Sequence, residues 1–233
     1  MRWVQFFRWD RPGHGLVSPN EFIPVLEDTG LIVPVGEWVA RTALMQRLSM
    51  QHTVPDSFVI SVNVSSQELH TANYVNRIRA LLEETGAHPD WLEIEITESG
   101  LVENGNTTLE QFFNLKSLGL KLSIDDFGTG YSSLSYLRQF PVDTLKIDQA
   151  FVREISHAQD ALLIVKSIIG LAKAMNLSVV AEGVETLIQK RILSQEGCDE
   201  IQGYYFSRPL SVTALTKLLE TPAPFSQLID SHD

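Results

Sequence analysis

Short runs of Val, Ile and Leu recur along this chain. Between them lie longer stretches whose apolar positions fall three and four apart. "SFVISVNV" (57–64), "WLEIEIT" (91–97), "LKLSIDD" (120–126), "TLKID" (144–148), "LSVVAEG" (177–183) and "EIQGYYF" (200–206) have the length and β-branched content of strands. Residues 4–9 supply one more, making seven. The intervening stretches predict helices. Ser18-Pro19-Asn20-Glu21 has the form of a capping box, with proline in the first turn and Gly30 at the far end. Residues 73–86 carry Tyr74, Ile78, Leu81 and Leu82 on one side, and residues 107–119 carry Leu109, Phe112, Phe113 and Leu115. Residues 160–175 line up Leu163, Ile164, Ile168 and Leu171, and Ser211 can cap a last helix ending near Glu220. Strand alternating with helix is the pattern of a parallel sheet covered by helices. A closed barrel of this type has eight strands. An open doubly wound sheet is the alternative, although no glycine-rich phosphate loop follows an early strand.

The polar residues add chemistry to this pattern. Asn63, Glu95, Glu98, Asp125, Asp126, Lys146, Asp148, Glu182 and Gln202 all fall at or just past the ends of predicted strands. In a parallel barrel those ends share one rim, where catalytic groups gather. Taken singly, each fits a helix cap or an ion pair equally well. Together, so many carboxylates in one place repel one another unless cations lie between them. Oxygen donors of this kind suit Mg²⁺ or Mn²⁺. Two such ions about 4 Å apart can drive displacement at a phosphodiester, with Lys146 holding the attacking water or neutralising charge on the phosphate. The six histidines are scattered away from these positions, which disfavours zinc.

Composition narrows the classes. The chain has 233 residues, 44% of them hydrophobic and 20% charged, and a net charge of −11. That charge argues against DNA as a partner, because duplex binding needs a basic surface. It leaves room for a small phosphorylated ligand held through cations. One cysteine, Cys198, excludes an intrachain disulfide, and no apolar run has the length of a membrane span. A cytoplasmic protein, or a cytoplasmic piece of a larger one, is the expectation.

Several segments resemble one bacterial signalling family. "RWDRPGHGLVSPNEFIP" (8–24), "SVNVSSQEL" (61–69), "EITES" (95–99), "DDFGTGYSSL" (125–134), "LKID" (145–148), "AEGVET" (181–186) and "QGYYFSRPL" (202–210) are similar, in order, to the motifs of the EAL domain. The resemblance implies an α/β fold, a TIM-type (β/α)8 barrel over residues 1–220, here lacking its first helix and strand, with a tail at 221–233. It implies hydrolysis of cyclic di-GMP to linear pGpG with two Mg²⁺ or Mn²⁺ ions, in the control of biofilm and motility. Position by position, Asn63, Glu95, Asp125, Asp126 and Glu182 would hold the metals or their water. Lys146 would contact the attacking water, and Lys146, Glu182 and Asp126 would be the catalytic set. Arg8, Gln202 and Pro209 would bind substrate. Glu98 would brace the loop after Asp126, with Asp148 and Glu185 in support. The partners implied are cyclic di-GMP, a second copy of the chain, and attached sensor or cyclase domains.

One departure stands out. The family's Glu-Ala-Leu triplet, aligned on Arg8-Trp9, is here Val4-Gln5-Phe6. The metal-binding glutamate is therefore Val4, which has no lone pair to offer. Loss of such a ligand lowers or abolishes turnover. A non-cleaving cyclic di-GMP receptor, or a regulatory interaction module, is then the alternative to an enzyme. "MRWVQFF" also lacks the alternation of a strand. This suggests that its residues are foreign to the barrel.

Overall fold

The computed structural model describes residues 2–5, 7–102, 105–130 and 137–220. The tail at 221–233 and the second half of the "DFGTGYSS" loop lie outside the described residues. Strands β1 (Arg2–Gln5), β4 (Val59–Asn63), β5 (Leu92–Thr97), β6 (Lys121–Phe127), β7 (Thr144–Ile147), β8 (Ser178–Ala181) and β9 (Glu200–Ile201) form one sheet in that order. The pairs β1–β4, β4–β5, β6–β7, β7–β8 and β8–β9 are parallel. Two further strands, β2 (Trp9–Arg11) and β3 (Gly15–Val17), form a separate antiparallel hairpin.

The helices are α1 (Pro19–Asp28), α2 (Ile32–Ser49), α3 (Ser66–Leu69), α4 (Tyr74–Thr85), α5 (Glu98–Val102) and α6 (Gly105–Ser117). They continue with α7 (Gln149–Glu154), α8 (Gln159–Ala174), α9 (Leu187–Gln195) and α10 (Val212–Leu219). The backbone groups into two compact units. Most of unit 1 is residues 1–51, 55–96 and 100–122, and unit 2 is residues 52–54, 97–99 and 123 onward.

Four expectations need correction. The first strand is not residues 4–9. It ends at Gln5, and Trp9–Arg11 belongs to the hairpin. Residues 2–5 pair with β4, Val4 in register with Ser61 and Gln5 with Val62. Ser18 precedes α1 but makes no side-chain cap; the capping box forms instead at Thr186 and Gln189, ahead of α9. In α8 the buried residues are Ala161, Val165, Ile168, Ile169 and Ala172, while Leu163 and Ile164 face out. Small Ala side chains take the inner face because α8 lies close to β7 and β8. Likewise in α6, Phe112 and Leu115 are buried but Phe113 is exposed.

In unit 1 the alternation of β5 sorts Leu92, Ile94 and Ile96 to one face and Glu93 and Glu95 to the other, and all five are buried. Strands covered on both faces read as continuous runs, which is why this one was legible. Arg47 of α2 is fully buried and anchors the approach to β4. Its Nε donates to the Phe58 carbonyl at 2.9 Å and its Nη2 to that of Pro55 at 3.2 Å. Its guanidinium lies 4.1 Å from the centroid of the Trp91 ring.

Just past β4, Ser65 accepts a hydrogen bond from the Glu68 amide and starts α3. The Glu68 carboxyl is buried so closely against α2 that a Cβ at Gly36 would overlap it. Burial pushes its pKa up to about 8, Arg77 opposes this, and Glu37 adds to it. The folded chain therefore holds a proton here that the unfolded chain loses near the ordinary value of 4.5. Stability falls as pH rises from about 4.5 and levels off above about 8, by a few kcal/mol. Glu68→Gln should flatten this dependence and raise the urea midpoint at pH 9. Equal pH profiles for the two proteins would contradict the assignment.

Candidate functional site

Unit 1 contributes Arg8, Asn63 and Glu95. Asn63 ends β4 with its side chain exposed, and its Nδ2 donates to Glu95 Oε2 at 3.2 Å. The register that pairs Asn63 with Glu95 brings the two together. Glu95 is fully buried. Val4 is buried on β1 and adds no donor to this pair. Arg8 is exposed, with Nη1 donating to the Phe7 carbonyl at 3.2 Å.

Glu93, which carried no assigned role in the sequence reading, is part of a polar cluster in the same unit. Its Oε2 accepts from Ser61 Oγ at 2.5 Å and pairs with Arg2 Nη1 at 2.9 Å. The signal was present in the sequence as an Arg and a Glu on the inner positions of their strands. Only the pairing of β1 with β4 and β4 with β5 brings them together.

Unit 2 contributes the rest. β6 does not end evenly. Its register with β7 shifts between Ile124 and Phe127, and Asp126 within that irregularity has φ of 53°. A bulge at a strand end re-aims side chains, and Asp is among the few residues that tolerate the left-handed region. Asp125 and Asp126 therefore do not follow the regular alternation of the strand. Lys146, on β7, is 1% exposed. Its Nζ lies 3.1 Å from Asp125 Oδ1 and 2.6 Å from Glu182 Oε1, which follows directly after β8.

One ammonium does not balance this group. Burial first, then the charge of Asp125, a hydrogen bond with Asp148 and the charge of Glu182 push the Asp126 carboxyl up to about 7. Glu182 is also raised, mainly by burial, against the pull of Lys146. Both carboxyls are raised by burial first, with neighbouring negative charge adding to it. Oxygen donors in such a deficit fit a hard divalent cation. Among the described residues, however, no group of three or more His, Cys, Asp or Glu side chains stands ready to enclose one. Lys146 lies between Asp125 and Glu182.

The supporting residues are placed as follows. Glu98 Oε2 accepts from the Gly128 and Gly130 amides at 2.8 and 3.1 Å, so one carboxylate pins the start of the loop after β6. Asp148 caps α7 by accepting from the Ala150 amide at 2.7 Å. The Glu185 side chain is exposed, while its amide donates to Gln189 in the capping box ahead of α9. Gln202 holds its backbone between Ala181 and Val184. Gly203 follows where Val184 leaves no room for a Cβ. Pro209 is exposed.

A family model described as the EAL domain matches residues 5–209, and the chain belongs to that family. Over 209 residues it is 41% identical to the bifunctional diguanylate cyclase/cyclic di-GMP phosphodiesterase MucR of Pseudomonas aeruginosa, covering 89% of this chain and 30% of MucR. It is 41% identical over 212 residues to the cyclic di-GMP phosphodiesterase NbdA of the same organism, covering 91% of this chain and 27% of NbdA. The chain thus spans less than a third of the length of these relatives. The solved structure of the PaMucR phosphodiesterase in complex with c-di-GMP superposes with a TM-score of 0.88 at 39% identity, covering 91% of this chain and 86% of that one. The α/β fold is therefore that of the TIM-barrel-like EAL domains. No described helix is long and apolar enough to cross a membrane.

Lys146→Met should destabilise the metal-free protein by about 3 kcal/mol in urea at pH 8, since it strands two carboxylates around a lost partner. The deficit should shrink toward pH 5, where the raised carboxyls take up protons. A variant as stable as the parent at pH 8 would show that the ammonium is not what holds this group.

Proposed function

We propose that the chain is a cyclic di-GMP phosphodiesterase domain that opens the cyclic dinucleotide to linear pGpG, with turnover lowered by Val4. The observation that carries this reading is the group of Asp125, Asp126 and Glu182 around Lys146, short of positive charge and rich in oxygen donors. Mg²⁺ or Mn²⁺ bound there would supply positive charge, polarisation of the phosphodiester and a more acidic water. The residues that would hold them are Asn63, Glu95, Asp125, Asp126 and Glu182. Lys146 orients the attacking water by a hydrogen bond and offsets charge that builds on the phosphate. Arg8 attracts a substrate phosphate, and Gln202 and Pro209 border a guanine. Glu98 keeps the Gly128 and Gly130 amides fixed, so that Asp126 keeps its left-handed backbone. Asp148 and Glu185 support the site from α7 and the approach to α9.

The named activities of the relatives support the ligand. The length of MucR beyond the matched part supports attachment to sensor or cyclase domains in a cytoplasmic protein, singly or as a homodimer. Val4 favours a second reading, a receptor that binds cyclic di-GMP without cleaving it.

Mg²⁺-dependent turnover of cyclic di-GMP separates the two. Asp125→Asn should abolish it. Val4→Glu should raise it by about tenfold or more, the scale on which metal-site partners act. Turnover that Val4→Glu leaves unchanged would mean that the valine is not the limiting defect. Tight binding with no product would establish the receptor.

A further inference from the structure

Just beyond Asn63, unit 1 buries a carboxyl that the proposed chemistry does not use. α3 follows β4 almost at once. Val64 still donates its amide to the Glu95 carbonyl at 2.9 Å, and Ser65 then caps the helix. Glu68 and Leu69 on this single turn are buried. The Glu68 carboxyl rests against the α2 backbone at Gly36, in room that only a glycine leaves. The same few residues lead straight back to the Asn63–Glu95 pair.

The surroundings of Glu68 suit the neutral acid better than the carboxylate. α2 brings Glu37, of like charge. α4 brings Arg77 and the buried Tyr74, whose hydroxyl is pushed well above its ordinary value by burial and then by Glu68. Arg77 donates to the Thr71 hydroxyl, which itself donates to the Glu68 carbonyl at 2.7 Å. That hydrogen bond of the guanidinium thus goes to the end of α3, and its charge offsets the burial of the carboxyl only in part. His70, the other titratable group of this segment, is hydrogen-bonded to the Thr108 hydroxyl of α6 at 2.8 Å. An ionised Glu68 gains little where it lies and much in water.

We propose that α3 is a proton-controlled latch: docked on α2 it carries Glu68 as the neutral acid, and on losing that proton it swings out, drawing Val64 from Glu95 and loosening Asn63. A single turn is a small piece to release, so it opens before the sheet does, with Leu69 setting the cost. The docked form holds a proton that the released form gives up. Release therefore gains about tenfold for each pH unit from about 4.5 to about 8 and levels off above that. Ligand capture at Asn63 weakens accordingly through the neutral range, and only this consequence rests on the phosphodiesterase reading.

Hydrogen exchange of the purified chain, followed by NMR at pH 6 and pH 8 and corrected for the intrinsic rate, tests the latch. The amides of Val64, Glu68, Leu69 and His70 should share one opening whose equilibrium rises at least tenfold between the two pH values. That opening should not respond to low urea, while the β5 amides stay protected. In Glu68→Gln, which fills the same space without the titration, the rise should be absent. Exchange of these amides only together with β5, a rise that persists in the glutamine variant, or a Val64 amide that stays closed while α3 opens would overturn the latch.

Saturating cyclic di-GMP at pH 8 should suppress the opening at least tenfold, by linkage between the ligand and the docked form. Nucleotide that binds and leaves the opening unchanged would overturn the link to Asn63. No binding at either pH would count against the phosphodiesterase reading, with the latch decided by exchange in the free chain.

Discussion

Lys146 is nearly sealed from water, and two carboxylates, Asp125 and Glu182, close on its ammonium. Neither side of this arrangement stands without the other. A buried lysine left to itself would shed its proton, and buried acids left to themselves would take one up. At Glu182 the ammonium of Lys146 works against the upward push of burial. β6, β7 and the end of β8 are thereby held to a common register by more than main-chain hydrogen bonds. The irregularity at Asp126 in β6, and the Glu98 carboxylate that pins the loop beyond it, make sense as supports for that one group.

The balance is incomplete by design of the donor set. Asp126 and Glu182 are raised by burial first, and the neighbouring carboxylates add to it. Unit 1 shows the opposite economy. There an arginine meets a glutamate inside the sheet, with a serine on the same oxygen, and the position beside them is an apolar valine. The two units thus differ in how their buried acids are paired, Glu93 with an arginine and a serine, Asp125 and Glu182 with one lysine.

Much of the architecture was readable from residue order. The strand at 92–97 announces itself because both of its faces are covered, and the helix at 74–85 because its four large apolar residues fall on one stripe. Reading failed where local pattern and packing part company. Leu163 and Ile164 look like core residues, yet α8 turns its alanines inward to approach the sheet. Ser18 carries the letters of a capping box, but the bonds form at Thr186 and Gln189. Residues 2–5 have too few positions to display a period, so only pairing with β4 reveals the strand.

The candidate site divides in the same manner. Its proposed members came from polar residues standing at the ends of apolar runs and, for Arg8, Pro209 and Glu185, from the resemblance to the family, both written in single letters. Its charge balance did not. That Lys146 lies between Asp125 and Glu182, that Asp126 turns left-handed, and that Arg2 finds Glu93 depend on which strands become neighbours and in what register. Order along the chain determines which groups each strand carries to its end. Only the folded sheet decides which of them come within a few ångströms, because electrostatic interaction depends on distance in space and not on separation in sequence.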